Sequence, residues 1–400
     1  MPSSERLNGF DALRAFVLLL GLVIHAAMPF LEPPVQVWAV IEPVRHVGLI
    51  LVVMAIHAFR LQVFFLLSGF FAALLIEKRG LRSFVMNRVR RIVVPFIFCV
   101  VLVVPLLQLL MVLGYQGRPE AGFMQVGSLI VDVTAYRSSV SDFFLSGAFI
   151  WNMTLFHFWF LYYLILLLLI WLFGLGVVSV LRLRPLIMRF AGVVLASRFL
   201  ILMLVTCSAL AMIPMHLWQV DTPFSMIPDR AVLFYYLVFF GVGYSLFAFP
   251  ARVTHMRIYW RRYLLVSLLV FPLMIFLQTL GPNPQNHPYD HRLELPALWV
   301  YSLFSWCMVF GLVGSFASQF AAPRVWVRTI SDSAYWQYIA HLPVLLGLQL
   351  ILIQFHWPIL IKLFLQIAIT FSFLLVIYRW LIRGSIIGRM LNGVTAEKQT

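Results

Sequence analysis

Residues 10–30 read FDALRAFVLLLGLVIHAAMPF, and the rest of the chain is read outward from this stretch. About 20 residues at about 1.5 Å each cover the hydrocarbon core of a bilayer, so the run is long enough to cross one. A plain anchor would carry no ionisable groups, yet Asp11, Arg14 and His25 lie within it. An Arg or Asp at bilayer depth costs roughly 2.5–3.5 kcal/mol on insertion scales, so such a residue marks function by default. Eleven residues separate Arg14 from His25. That is three helical turns plus about 20°, which places both on one face about 16 Å apart along the axis. An arginine at one mouth and an imidazole deep inside would line a path for an anionic ligand. A neutral imidazole there can act as general base toward a hydroxyl.

The composition fits that reading. Of 400 residues, 63% are hydrophobic and 11% charged. Soluble domains run near 25% charged, so this is an integral membrane protein. Phe (37) and Trp (12) are abundant, as in helix bundles with interfacial aromatic belts. Cys99, Cys207 and Cys307 stand alone in apolar segments, without disulfide or metal-ligand spacing, and read as inert thiols. The run after the polar start MPSSERLNGF is too long for a signal core. It ends at Glu32-Pro33-Pro34 without a small-residue cleavage site, which predicts an uncleaved first span.

Hydropathy predicts an all-α bundle of about ten transmembrane helices. The spans fall near 10–31, 48–76, 92–114, 157–180, 199–215, 231–249, 263–280, 296–318, 333–354 and 359–382, the second containing a short lead-in helix. Assigning Lys and Arg to alternate sides puts 22 of the 29 on the side of the termini. The remaining seven, Lys362 among them, go to the other side. This is the positive-inside pattern, and it predicts cytoplasmic N- and C-termini. The net charge of +15 is thereby accounted for without a nucleic-acid partner. A single membrane domain over 1–400 is expected, with a short cytoplasmic tail at 390–400. The outward segments 32–47, 115–156, 216–230 and 281–295 carry Pro, Gly, Asn, acids and aromatics, which suit turns and also a carbohydrate-facing surface.

Further polar groups recur inside apolar runs. In AIHAFRLQVFFLLSGFF, His57 and Arg60 share a face at i, i+3, Gln62 points away, and Ser68-Gly69 permit close helix contact. Arg60 can hold a carboxylate or a developing oxyanion. In NRVRRIVVPF, Arg88 and Arg91 form a basic pair suited to phosphates or anionic lipid. His157 and Trp159 open the fourth span. Ser333, Gln337 and His341 share a face of the ninth, beside Tyr338. The sequence shows no Walker loop, HExxH, CxxC or GxSxG, so it suggests no nucleotide hydrolase, metalloprotease or serine hydrolase core and no metal.

Taken in order, FDALRAFVLLLGLVIH, FRLQVFFLLSGFF, NRVRRIVVPF, HFWFL and YWQYIAHLP resemble the acyltransferase 3 family of membrane acyltransferases. Within it, IHAFRLQVFF and FHFWFL resemble the glucans biosynthesis protein C group, succinyltransferases of osmoregulated periplasmic glucans. The C-terminal SGNH domain of some relatives is not expected. The resemblance implies transfer of an acyl group from cytoplasmic acyl-CoA (succinyl-CoA or acetyl-CoA) to a glycan hydroxyl on the periplasmic side of a bacterial inner membrane. Carried over by position, His25 and Arg60 are catalytic, and Arg14, Arg88 and Arg91 bind the donor. Asp11, His57, Ser68, His157, Trp159, Ser333, Tyr338 and His341 are possible supporting residues. Relatives often carry acids after the position of Trp159. Here Leu161-Tyr162-Tyr163 follow, so no carboxylate helper is expected in that helix. His25 either deprotonates the acceptor or is itself acylated first. Two alternatives stay open: O-acetylation of lipopolysaccharide or another surface polysaccharide, and a transporter or flippase without bond formation. The oligomeric state, a homo-oligomer included, is not set by these features.

Overall fold

The computed structural model describes residues 7–116, 123–126, 129–132, 134–151, 153–282 and 290–392. Arg6, Arg118 and Lys398 of the charge count, residues 283–289 of one outward segment, and the tail from 393 lie outside them.

The chain is helical where it is apolar, because in lipid each backbone N–H and C=O must find its partner within its own segment. Among the described residues, eight helical runs are long and apolar enough to cross a bilayer, or nine if one bent pair counts as a span. One run, Gly48–Tyr115, has 68 residues. At 1.5 Å per residue that is roughly 100 Å, too long for one crossing of about 30 Å. Splitting it brings the total to the expected ten.

The first helix, α1, is Asn8–Ala27. A strap, residues 31–47, leads back to the short α2 (Gly48–His57). The chain restarts at Arg60 as α3 (Arg60–Arg88), so the expected lead-in helix is present. Gly80, at φ 77°, breaks α3 in a conformation that L side chains rarely adopt. Two π-helical turns, Val89–Val93 and Cys99–Val103, flank α4 (Val94–Phe98) and lead to α5 (Val104–Tyr115). Pro95 has no N–H to give the carbonyl four residues back, that of Arg91. The Tyr335 hydroxyl donates to it instead, at 2.8 Å.

The next outward segment holds a departure from an all-α chain, an antiparallel hairpin of β1 (Phe123–Val126) and β2 (Leu129–Asp132), with Phe123 opposite Asp132. Two short helices follow, α6 (Val140–Leu145) and α7 (Ala148–Trp151), and then α8 (Trp159–Val180). The fifth expected span, 199–215, needs correction. It is α10 (Leu200–Met212), 13 residues and too short to cross alone, bent by 109° from α9 (Arg184–Ala196). The bend comes at extended Ser197. Carbonyls freed there are taken by Arg252, whose guanidinium donates to Leu195 O and, at 3.2 Å, to Ser197 O.

Asp229 caps α11 (Arg230–Ala248) by accepting from the N–H groups of Ala231 and Val232. The chain continues through α12 (Pro250–Thr279), α13 (Glu294–Gln319), α14 (Val325–Leu352), α15 (Ile359–Ile377) and α16 (Ile386–Asn392). The seventh and ninth spans thus begin earlier than hydropathy placed them, because helix outlasts the apolar stretch.

In the core, α12 packs along α13, α3 along α11 and α1 along α14. The α3–α11 crossing is close because Gly69 faces Phe240 O and Gly243 faces Leu66 O, leaving no room for a Cβ at either. Outward-facing Val101, Phe173, Leu268 and Phe364 stay exposed, as lipid-facing positions do.

Candidate active site

Four elements far apart in sequence bring the polar residues together. His25 lies in the last turn of α1, not midway along the helix, and its cover comes from elsewhere in the chain. Arg60 is the first residue of α3. Its Nη1 occupies the place beside α1 that Gly21 leaves open, where an added Cβ would sit 2.7 Å away. His157 belongs to a 3-10 turn, Phe156–Phe158, immediately before α8. His341 comes from α14, two residues before Pro343.

The three imidazoles form a triangle. Ring centres are 5.4 Å apart for His25 and His341, 4.9 Å for His157 and His341, and 6.3 Å for His25 and His157. With Arg60 and Tyr338 they line a space of about 20 Å3, walled by Val17, Leu18, Gly21, Leu61, Phe64 and Phe160. That holds about one water molecule.

Hydrogen bonding assigns two of the tautomers. Nε2 of His157 lies 3.1 Å, and Nδ1 of His341 2.8 Å, from the carbonyl of Tyr338. A carbonyl only accepts, so both nitrogens carry the proton. In the neutral rings the other nitrogens, His157 Nδ1 and His341 Nε2, then hold lone pairs. Both are buried and unpartnered, as is His25 Nδ1. Tyr338 completes the frame by donating its hydroxyl to His157 O at 2.7 Å.

Arg60 carries the local positive charge. It lies within electrostatic reach of His25, His57, His341, Tyr236 and Tyr338. The buried Tyr236 hydroxyl beside it has no hydrogen-bond partner. A guanidinium facing unpartnered ring nitrogens in a nearly closed space can stabilise an anion while an imidazole takes a proton.

Other expected residues take lesser places. His57 points Nε2 at Thr222 Oγ1, 3.1 Å away, tying α2 to the loop before α11. Trp159 meets Tyr163 edge-on at 5.5 Å and does not line the space. Ser333 does not reach the site. Its hydroxyl donates to Ile330 O within α14 at 3.0 Å, satisfying itself locally. Ser68 lies on α3 away from the lining, and the close approach falls to its neighbour Gly69.

The basic residues gather separately. Arg88 is within reach of the charges of Arg14 and Arg91, and its Nε is buried without a partner. Arg14 pairs with Asp11 at 3.3 Å. Arg91 donates from Nε and Nη2 to Leu391 O, at 3.0 and 2.8 Å, and so docks α16. A groove of about 970 Å3 lies elsewhere, between α10, the loop before α11 and the start of α11, and none of the expected residues lines it. Its carboxylate, Asp229, is occupied as the α11 cap.

Sequence reasoning overlooked Gly21, Trp38, Glu42 and Gln349. Lys362, expected nearer the outward side, has its partner in the outward strap. It is 3% exposed and paired with Glu42 at 2.7 Å. Among the described residues, no three His, Cys, Asp or Glu side chains are grouped to hold a metal ion.

A protein-family model described as "Acyltransferase domain" matches residues 7–380. Glucans biosynthesis protein C of Escherichia coli K12 and of Escherichia coli SMS-3-5 / SECEC are each 30% identical to the chain over 118 residues. The match covers 30% of this chain and 30% of each relative. No solved structure matches.

Proposed function

Since the chain belongs to this acyltransferase family, we propose that it transfers an acyl group, succinyl in the first instance, from acyl-CoA to a glycan hydroxyl across a bacterial inner membrane. The observation that carries the reading is the convergence of His25, His157, His341 and Arg60 on one small buried space. The names of the relatives favour a glucan acceptor, and the Lys and Arg distribution favours cytoplasmic termini with the donor on that side.

In the proposed reaction, Arg14, Arg88 and Arg91 hold the coenzyme A phosphates at the mouth near the start of α1. The thioester arm runs about 16 Å along the α1 face to His25. His25 takes the proton from the acceptor hydroxyl as its oxygen forms a bond to the thioester carbon. Arg60 stabilises the oxyanion, or binds the distal carboxylate of a succinyl group. The C–S bond breaks, and the thiolate recovers the proton from the imidazolium. The products are a glycan ester and free coenzyme A.

The test uses purified protein in liposomes with succinyl-CoA or acetyl-CoA and a β-glucan oligosaccharide. Thiol release is followed in solution and the glycan mass by spectrometry. Succinylated glycan with equimolar thiol is expected. Glycan unchanged with both donors overturns the reading, and an acetyl increment alone moves it to O-acetylation. An acyl adduct on the intact protein would replace direct transfer with a two-step route.

A further inference from the structure

Glu42 and Lys362 form an ion pair in the protein interior. Lys362 Nζ donates to both carboxylate oxygens, at 2.8 and 2.7 Å. Taking two charges out of water is costly, so such a pair is weak evidence for stability and better evidence for a fixed geometry. It joins the start of α15 to the strap 31–47. The strap is held at other points as well. Glu42 N donates to Pro29 O at 3.0 Å, His46 N to Phe30 O at 2.9 Å, and the Tyr115 hydroxyl to Gln36 O at 2.9 Å.

What the strap carries into the bundle is Trp38. Its indole stacks on the His25 imidazole, with ring centres 5.5 Å apart and planes 7° from parallel. Its Nε1 donates to Gln349 Oε1 at 2.9 Å. The Gln349 amide in turn donates to His25 O at 3.0 Å and to Gln366 Oε1 at 3.2 Å. Gln366 stands one turn after Lys362 on α15, so two neighbouring positions of that helix hold the strap and the amide beneath it. Because His25 sits in the last turn of α1, the helix alone does not cover the ring on that side, and the indole does.

We propose that Trp38 is a positioning residue that sets the plane of the His25 imidazole and closes the site on the side away from the basic mouth, with the buried Glu42–Lys362 pair as the clasp that holds its strap. The catalytic meaning of this device rests on the reading of His25 as the base. The geometry itself does not. An acceptor hydroxyl must then approach His25 beside the indole rather than over the ring face.

The test reads the imidazole directly. Full-length protein in lipid nanodiscs is treated with diethyl pyrocarbonate, and carbethoxylation of His25 and of His291, 75% exposed, is followed by peptide mass spectrometry. Trp38→Ala should raise the His25 rate about fivefold or more with His291 unchanged, whereas Trp38→Phe should stay within about twofold of wild type. Glu42→Gln, and the doubly neutral Glu42→Gln/Lys362→Met, which leaves no unpaired buried charge, should also raise it. A His25 rate in Trp38→Ala within about twofold of wild type overturns the proposal, and an unchanged rate in the double variant removes the clasp. In turnover with succinyl-CoA, Trp38→Ala should lower kcat about tenfold and leave the donor KM within about twofold. Wild-type protein that turns nothing over, while the labelling pattern holds, counts against the acyl-transfer reading alone.

Discussion

Around Glu42 and Lys362 the buried charges are matched. Both carboxylate oxygens accept from Nζ, and the N–H groups of Glu42 and His46 find carbonyls. Around His25, a few side chains away through Trp38 and Gln349, polar atoms are left open. Three ring nitrogens and the Tyr236 hydroxyl are buried with no partner. The three imidazoles line the small space that has room for about one water molecule. The difference separates frame from centre. The charges of the frame are satisfied within the chain, and under the proposed reading the ring lone pairs of the centre are kept for substrate.

The contrast can be broken most decisively at His25. Replacing it with Ala should reduce acyl transfer by about 10²–10⁴-fold, the range for loss of a general base. Thermal unfolding in detergent should still show a folded protein, so that the loss reads as chemistry. Transfer retained in that variant would return the imidazole to the frame.

At the clasp the effect should fall on stability. Glu42→Gln alone strands the Lys362 ammonium and should cost about 3–5 kcal/mol in denaturant unfolding, whereas Glu42→Gln with Lys362→Met should come close to wild type. Equal losses in the two would mean that the pair contributes packing and no more.

Gly21 sharpens the boundary between the clusters. A methyl there would meet Arg60 Nη1 at 2.7 Å, so Gly21→Ala should push the guanidinium from the site. Activity should fall by about 10- to 100-fold, the scale of a displacement near 1 Å, with the unfolding midpoint nearly unchanged. The smallest effect is expected at Ser333. Its hydroxyl is satisfied inside α14, so Ser333→Ala should leave turnover within about twofold and stability within about 0.5 kcal/mol.

Several features were legible in sequence. Hydropathy located the helices, because in lipid an apolar run has no other way to satisfy its backbone. The break before Arg60 showed in the polar residues of IHAFRLQ. The 13-residue α10 did not show, since its bend depends on Arg252 reaching back to the carbonyls of Leu195 and Ser197. The local bond of Ser333 is not legible in sequence, because a shared helical face says which way a side chain leaves its helix, and not whether its own backbone claims it.

By itself the sequence determined the membrane class, the all-α architecture, the Arg14–His25 face and the likeness to membrane acyltransferases. All of these are written in local hydropathy, helical period or contiguous motifs. Only the tertiary structure decided that His25, His157 and His341 form one triangle, that Arg60 rests against Gly21, and that Lys362 closes on Glu42 320 positions away. Local periodicity fixes the face from which a side chain projects. Its partner depends on which helices pack together, and that is set by the shape of the whole bundle.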